Sequence, residues 1–335
     1  MSQPSPFVVA LASGVLDRGS QSRPAPDLDQ AWHEPDALVL PLHSGRMSVA
    51  GSQTSHSGQV GAGVVLRGMP ARSASPQWQA ASLWLGRNGK GAALFAVELN
   101  EADMDRVDPT LTPLGSPAGR WQGWAGLREV VSALPPWQQE AFVTAVALNN
   151  WHRTHQRCPR CGEATVVRRG GWMRQCPADG SEHYPRTDPA VIVLLRDPSD
   201  RALLARADKW PPGWMSTLAG FVEPGESLES AVVREVGEEV GLEVTDPVYL
   251  GSQPWPFPAS LMLGFHASAP AEEPHPDGTE IAEARWFTRE QLATEAERGH
   301  VRLPPRASIA RSLIEHWYGQ PLPGSWSRPR PDGSP

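Results

Sequence analysis

Residues 220–242 read GFVEPGESLESAVVREVGEEVGL, and this stretch predicts a tight turn followed by an amphipathic helix. The Pro-Gly pair marks the turn, Ser227 is a candidate N-cap and Gly241 is a candidate helix stop. Apolar residues recur at every fourth position, as on the buried face of a helix, and they are Leu228, Val232, Val236 and Val240. One face of the helix is therefore expected to pack on a core.

The polar face of this helix carries a group of carboxylates. Glu235, Glu238 and Glu239 stand at positions i, i+3 and i+4, which places them side by side. Like charges at this spacing cost roughly 0.2–0.5 kcal/mol per pair without a counterion. All-oxygen ligands suit Mg²⁺ or Mn²⁺, which can neutralise diphosphate oxygens and orient water. Glu226, in the preceding loop, either joins this group or is held by Arg234. For the glutamates alone, a solvated acidic face is the alternative.

The spacing of the whole stretch resembles the Nudix box, G-x5-E-x7-R-E-U-x-E-E-x-G-U with U aliphatic, at every fixed position. Nudix enzymes hydrolyse a diphosphate linked to a further moiety, using divalent metal. The resemblance favours a metal site over a solvated face. It implies an α+β protein that contains the Nudix α/β/α sandwich with a mixed sheet. Gly237 falls at the variable position of the box, where glycine costs about 1 kcal/mol relative to alanine in a helix.

A second motif, SQPWPFPAS at residues 252–260, begins ten positions after the box. It looks like the marker of the NADH pyrophosphatase branch of the Nudix family. Its prolines stiffen the loop, so that Trp255 and Phe257 become rigid plates on which a flat base can stack. Gln253 and Ser260 can supply polar contacts to the substrate. The alternative is a proline-rich turn with two buried aromatic side chains.

The three cysteines of the chain have the spacing of a metal-binding ribbon. Cys158 and Cys161 form a C-x2-C knuckle, and Cys176 follows after fourteen residues. The family resembled here has a second C-x2-C, whose last position is Asp179 in this chain. Asp179 and the nearby His183 are both chemically able to ligate zinc. We expect one structural Zn²⁺ per chain with Asp179 or His183 as the fourth ligand, and a ribbon without metal is the alternative.

Composition agrees with a multi-domain cytoplasmic enzyme. The formal net charge of −7 gives no indication of a surface that binds nucleic acid non-specifically. Three cysteines with knuckle spacing do not suggest a secreted disulfide framework. The apolar residues 7–12 lack a preceding basic residue and are too few to span a membrane, so we expect no membrane association and a strand there.

The chain is expected to divide into three folded parts and a tail. These are an N-terminal α+β domain of the NADH pyrophosphatase type (1–150), a small zinc ribbon (157–186), the Nudix domain (187–320) and a disordered tail (321–335). Residues 44–76, rich in Gly, Ser, Ala and Gln, are expected to form a loose loop. Strands are predicted at residues 38–42, 81–85, 92–98, 190–196, 202–207, 248–252, 261–267 and 283–287, and helices at 137–156 and 308–318.

Further site residues follow from the resemblance alone. It implies that the catalytic metals are held by Glu235, Glu239, the backbone carbonyl of Ala219 and Glu280, and that Glu238 completes the metal and water network. It also implies substrate contacts from Tyr184, Phe221, Arg128, the backbone of Ala310 and the loop residues Gln253, Pro254, Trp255, Pro256, Phe257, Pro258, Ala259 and Ser260. The family is generally dimeric, and Trp255 is expected to complete the partner's pocket.

The combined prediction is metal-dependent hydrolysis of the diphosphate of NADH or NAD⁺ to NMNH or NMN and AMP. Removal of NAD caps from RNA 5′ ends by the same chemistry is the main alternative, because the cap is the same dinucleotide extended into RNA. Hydrolysis of another substrate such as ADP-ribose, or nucleotide binding without turnover, are the minor alternatives.

Overall fold

The computed structural model describes residues 7, 9–51, 63–116 and 121–326. The chain folds into two compact units. One contains residues 11–187 and 255–259, and the other contains residues 1–10, 188–254 and 260–335, each as far as described. No helix within these described ranges is long and apolar enough to cross a membrane.

The first unit is built on a seven-stranded sheet. Its elements are α1 (Ala25–Trp32), β1 (Leu38–His43), β2 (Arg46–Gly51), β3 (Val65–Pro70), α2 (Pro76–Ala81), β4 (Leu83–Arg87), β5 (Ala93–Glu98), α3 (Glu101–Val107), β6 (Thr112–Pro113), β7 (Trp121–Gly126), α4 (Leu127–Val130) and α5 (Pro136–Thr154). The strand order is β4-β5-β1-β2-β3-β6, with β7 beside β2. Trp32 and Trp84 meet Phe95 edge to face in its core.

A small antiparallel sheet completes the first unit. Its strands are β8 (Val166–Arg168), β9 (Met173–Gln175) and β10 (Glu182–His183), in the order β10-β9-β8. This is the expected ribbon, because the three cysteines lie in the turns that flank these short strands.

The second unit contains a six-stranded mixed sheet. Its elements are β11 (Asp188–Arg196), β12 (Ala202–Ala207), β13 (Leu218–Phe221), α6 (Leu228–Val240), β14 (Thr245–Trp255), β15 (Ser260–Ser268), β16 (Ile281–Phe287), α7 (Arg289–Glu297) and α8 (Ile309–Tyr318). The order is β14-β15-β11-β12-β16, with β13 beside β11. Strand β11 is parallel to β15 and antiparallel to β12 and β13.

Strand β11 shows how the sheet divides the second unit into layers. Val191 and Val193 belong to the core that contains the apolar face of α6. Ile192 and Leu194 belong to a separate core that contains Leu313 of α8. Alternate residues of a strand point to opposite faces, so helices cover both sides of the sheet. This confirms the predicted α/β/α sandwich with a mixed sheet.

The structure corrects two predictions in the N-terminal part. The described residues of 7–12 are not in a strand, and Phe7 and Val9 instead pack on the core that contains α8. Much of the predicted loop 44–76 is regular structure, namely β2, β3 and the start of α2, while residues 52–62 lie outside the described residues. Val49 and Leu66 are fully buried there, so burial in the sheet outweighs a loop-like composition.

The C-terminal segment is packed at residues 321–326, where the sequence predicted disorder. The buried guanidinium of Arg311 donates to the carbonyl oxygens of Leu322 and Gly324. Trp326 stacks on Trp214 with ring centroids 5.2 Å apart, and its indole N–H donates to a backbone carbonyl. Residues 327–335, the rest of the predicted tail, lie outside the described residues.

Candidate active site and metal centres

Helix α6 forms as the sequence predicts, because both of its ends are capped and one face is buried. Ser227 Oγ accepts a hydrogen bond from the Ser230 N–H at 3.2 Å. Gly241 ends the helix with a φ of 68°, in the left-handed region that favours glycine. The apolar stripe at Val232 and Val236 is fully buried. The helix that carries the box carboxylates is therefore held at both ends and along its length.

Glu239 is the most buried of the box carboxylates, with 6% of its surface exposed. The Ala219 N–H donates to it, whereas its Oε2 atom has no hydrogen-bond partner among the described residues. Burial, followed by the charges of Glu235, Glu280 and Asp277, raises the pKa of Glu239 to about 8. The ionised form of a carboxylate in such surroundings is unfavourable unless a cation binds there. These residues therefore fit a metal ion.

Glu235 lies directly against the backbone of β13. A Cβ atom added to Gly220 would be 1.8 Å from Cδ of Glu235, so only glycine permits this approach. Burial raises the pKa of Glu235, and the charges of Glu238 and Glu280 act in the same direction. Gly220 of the box motif thus allows a carboxylate of α6 to lie against the strand.

Arg234 connects the loop to the helix. Its guanidinium lies 2.8 Å from a carboxylate oxygen of Glu226, 3.0 Å from one of Glu235 and 2.9 Å from one of Glu238. It also donates to the carbonyl oxygen of Phe221 at 2.9 Å. Its hydrogen bonds lower the pKa of Glu226. Of the two alternatives for Glu226, the structure selects the one in which Arg234 holds it.

A cavity of about 500 Å³ opens beside the carboxylates. Three predicted metal ligands line it, namely Ala219, Glu239 and Glu280. Lys209 and Thr217 line it as well, and sequence reasoning missed both, because neither lies in a motif. Carboxylate and carbonyl oxygens are the donors that Mg²⁺ and Mn²⁺ prefer. The site can therefore hold a divalent cation.

The second half of the SQPWPFPAS loop packs within the first unit together with Arg128. The Arg128 guanidinium lies 3.9 Å from the ring centroid of Phe257 and 5.2 Å from that of Trp255. The two rings meet edge to face, with centroids 5.1 Å apart. Asn150 donates to the carbonyl oxygens of Pro256 and Pro258, at 3.0 and 3.2 Å. The structure thus brings together Arg128 and the aromatic residues that were predicted to contact substrate.

Gln253, which was predicted to contact substrate, is buried and makes hydrogen bonds within the protein. Its side chain is 1% exposed. Its Nε2 donates to the carbonyl oxygens of Ala10 and Ala307, and its Oε1 accepts from the Ile309 N–H. Both amide protons are therefore used within the protein. The sequence could not show this, because the three partners are remote in the chain.

The other predicted contact residues differ in accessibility. Tyr184 is 57% exposed and Phe221 is 56% exposed, so both rings can meet a ligand. The Tyr184 hydroxyl donates to the Glu182 carboxylate. Ala310 is buried near the start of α8, and its N–H donates to the Ser308 hydroxyl. The Ala310 N–H is thus part of the helix cap, and the backbone contact from Ala310 to substrate stays a prediction.

The ribbon gathers four potential metal ligands. One ligand atom each from Cys158, Cys161, Cys176 and Asp179 lies within 4.8 Å of all the others. The sulfurs of Cys161 and Cys176 are 3.5 Å apart, and Asp179 Oδ2 lies 3.7 Å from the Cys158 sulfur. Ligands at about 2.0–2.3 Å from a tetrahedral Zn²⁺ have separations of this size. These residues fit a structural zinc.

Two matching turns explain why Asp179 joins the cysteines. The Gly162 N–H donates to the Cys158 carbonyl at 2.9 Å, and the Gly180 N–H donates to the Cys176 carbonyl at 3.0 Å. Both glycines have positive φ, 77° and 73°. Asp179 therefore occupies in the second turn the position that Cys161 occupies in the first. His183, the alternative ligand, is not in the group and instead hydrogen-bonds the Ser181 hydroxyl at 3.1 Å.

Comparison with known proteins agrees with this geometry. Residues 186–307 match the NUDIX domain family, and residues 153–184 match the NADH pyrophosphatase zinc ribbon domain family. The NAD-capped RNA hydrolase NudC of Stutzerimonas stutzeri is 43% identical over 219 residues, which cover 65% of this chain and 74% of that protein. The protein of the same name from Mycobacterium tuberculosis H37Rv is 49% identical over 183 residues, 52% of this chain and 58% of that protein.

A human relative, the NAD-capped RNA hydrolase NUDT12, is 43% identical over 194 residues, which cover 54% of this chain and 42% of that protein. The chain thus spans a little more than half of the mycobacterial relative and less than half of the human one. The match to the Stutzerimonas protein, by contrast, extends over most of that relative. Because it joins a complete Nudix box on α6 to the ribbon specific to one branch, the chain belongs to the Nudix family, among the members that carry the NADH pyrophosphatase zinc ribbon.

Proposed function

We propose that this protein hydrolyses the diphosphate of NADH and NAD⁺, releasing NMNH or NMN together with AMP. The observation that carries the proposal is the buried, unpaired carboxylate oxygen of Glu239 beside Glu235 and Glu280, in a cavity large enough for a diphosphate. The branch-specific loop at residues 252–260 and the names of the relatives support a dinucleotide as the substrate.

In this proposal, Glu235, Glu239, Glu280 and the Ala219 carbonyl hold Mg²⁺ or Mn²⁺. The metal, when bound, neutralises charge on the diphosphate and lowers the pKa of a bound water. A box carboxylate, with Glu238 the most accessible candidate at 63% exposed, accepts the proton of the attacking water. The ion pairs of Arg234 keep Glu235 and Glu238 in position.

The ribbon has a structural task in this proposal. We propose one Zn²⁺ held by Cys158, Cys161, Cys176 and Asp179, which stabilises the fold of the short strands around it. Three thiols in a metal-binding group favour a reducing, cytoplasmic location. A homodimer is proposed from the family resemblance, and light scattering on the purified protein tests it.

Product analysis tests the reaction directly. The purified protein is incubated with NADH, NAD⁺ and ADP-ribose, each with Mg²⁺ or Mn²⁺. We expect NMNH and AMP from NADH, with ADP-ribose spared. Cleavage of ADP-ribose with NADH untouched would retain the diphosphate chemistry and refute the dinucleotide assignment. Nucleotide binding without turnover in the presence of either metal would refute the proposal that the protein is an enzyme.

Two matched substitutions on α6 test the site. Glu239→Gln removes the charge that binds the cation, so we expect turnover to fall by at least about a hundredfold. Glu229→Gln removes a carboxylate from the first turn of the same helix, on an exposed position outside the cavity, and turnover should be unchanged. Unchanged turnover in Glu239→Gln would refute the assignment of the site.

Removal of NAD caps from RNA is the second candidate, and the names of the relatives favour it. The same carboxylates would act on the same diphosphate, with the adenosine extended into RNA. Competition between NAD-capped RNA and free NAD⁺ at equal concentration separates the two substrates. Preferential cleavage of the capped RNA would make decapping the principal activity, and no cleavage of it would exclude this candidate.

A further inference from the structure

Thr217 is a second residue that lines the cavity beside the carboxylates and has an unpaired polar atom. The residue is 6% exposed, and its hydroxyl has no hydrogen-bond partner in the described part of the chain. It lines the same cavity as Glu239, Glu280 and Lys209. Two residues that line one cavity, Glu239 and Thr217, therefore each have a buried polar atom without a partner among the described residues. No predicted metal ligand or loop contact accounts for the hydroxyl.

The backbone around Thr217 is fixed on both sides. Ser216 exchanges two backbone hydrogen bonds with Ala205, both at 2.8 Å, and Leu218 pairs with Val193 in the sheet. The side chain is therefore held at the cavity wall by the sheet. A buried hydroxyl without a partner costs on the order of 1–3 kcal/mol. A buried hydroxyl without a partner is most readily tolerated in a rigid cavity wall when a bound ligand supplies the hydrogen-bond acceptor.

The chemistry of the cavity limits which kind of ligand can be the partner of the Thr217 hydroxyl. A hydroxyl proton needs an acceptor, which a metal cation does not offer. Phosphate oxygens are strong acceptors, and the positive charge of Lys209, which lines the same cavity, suits an anionic group. Resting on the proposed function, we propose that Thr217 donates a hydrogen bond to a non-bridging oxygen of the substrate diphosphate, with Lys209 adding positive charge beside it. Thr217 is then a further residue that contacts the substrate.

Thr217→Val tests the inference because it keeps the shape of the side chain and removes only the hydroxyl. We expect the unfolding temperature of the ligand-free protein to stay the same or rise, since no hydrogen bond is lost. The increase in unfolding temperature caused by ADP with Mg²⁺ should shrink. The kcat/KM for NADH should fall about tenfold to a hundredfold, as for loss of a hydrogen bond to a charged group. Thr217→Ser, which restores a hydroxyl, should recover most of both effects.

Thr165→Val is the matched control. Its hydroxyl is equally buried but donates to the Gln156 carbonyl and accepts from Arg174. This substitution should lower the unfolding temperature, which shows that the assay detects a lost hydrogen bond. If Thr217→Val lowers the unfolding temperature to a similar extent and Thr217→Ser does not restore the ADP effect, the hydroxyl is structural and the inference is wrong.

Two further outcomes would overturn the inference. One is that Thr217→Val leaves both kcat/KM and the ADP-induced increase in unfolding temperature (the ADP effect) unchanged. The other is weaker Mn²⁺ binding to the ligand-free variant with an unchanged KM, which would assign the hydroxyl to the water shell of the metal. The proposed function fails separately, if the unmodified protein does not cleave NADH or NAD⁺. An ADP effect that depends on Thr217 would in that case still support a diphosphate contact.

Discussion

The close approach of Gly220 to Glu235 makes Gly220→Ala the most informative substitution in the active site. The backbone of Gly220 is not in the left-handed region, so alanine is compatible with its conformation. The obstacle is the Glu235 carboxylate, whose Cδ would lie 1.8 Å from the new Cβ. The substitution therefore acts by displacing the side chain of Glu235, which we propose to be a metal ligand.

The size of the effect follows from that distance. Non-bonded carbon atoms lie about 3.5 Å apart or more, so the carboxylate must move by roughly 1.7 Å. Metal–oxygen distances tolerate only about 0.2 Å, and a misplacement of 1 Å at a reacting centre costs on the order of a hundredfold. We expect kcat/KM for NADH to fall at least about a hundredfold and Mn²⁺ binding to weaken. Stability should change little, because the end of a glutamate side chain can swing away.

Gly237→Ala is the control within the same helix. An added Cβ at Gly237 has no atom within 4 Å, and the residue is exposed. We expect the variant to be stabilised by about 1 kcal/mol, through helix propensity alone, with unchanged kcat/KM. Steady-state kinetics, Mn²⁺ titration and urea unfolding of both variants provide the comparison. Normal activity and Mn²⁺ affinity in Gly220→Ala would refute the role of Glu235.

Three other predictions concern stability and zinc. Burial lowers the pKa of His266 to about 4. A neutral buried histidine is protonated only on unfolding, so its stabilising effect is retained above about pH 6.5 and is lost as pH falls towards 4. Burial also lowers the pKa of His152 to about 4. Urea unfolding should therefore show a loss from pH 7 to pH 5 to which each histidine contributes about 2 kcal/mol, and His266→Gln should remove the His266 part alone. Trp326→Ala removes the stacking on Trp214 and should cost about 1–3 kcal/mol, measured by urea unfolding, and no loss would contradict the packing of residues 321–326. Asp179→Ala should weaken Zn²⁺ binding at least about tenfold in competition with a chelator while Asp179→Cys strengthens it, and equal affinities in all three proteins would exclude Asp179 as a ligand.

The sequence predicts the local part of the site well. The period of the apolar residues and the caps at Ser227 and Gly241 suffice to place α6, and helix geometry then sets the spacing of its carboxylates. The same holds for the knuckles of the ribbon, where a repeated turn ending in Gly162 and Gly180 accounts for the place of Asp179. In each case, neighbours in the chain supply the determining contacts.

Contacts between remote segments are what the sequence does not show. The hydrogen bonds that hold Gln253 come from Ala10, Ala307 and Ile309, and no pattern around residue 253 indicates them. The sequence therefore predicted a substrate contact for Gln253 and did not show that its amide links these three segments. Strand β2 was missed for the same reason, since its burial depends on neighbouring strands rather than on its own composition.

The distribution of charge around α6 gives an independent reason for a cation. Arg234 pairs with Glu226, Glu235 and Glu238, so one guanidinium is shared by three carboxylates. Glu239 is not among its partners, although it is the most buried and therefore has the most to gain from a positive charge. If Arg234 served only to neutralise the negative charges of the helix, its pairing with the exposed Glu238 would contribute least, because water already solvates that carboxylate. The arrangement instead fixes the outer carboxylates in place and leaves the inner one, within the described part of the chain, without a cationic side chain, so that its ionised form requires a metal ion beside it.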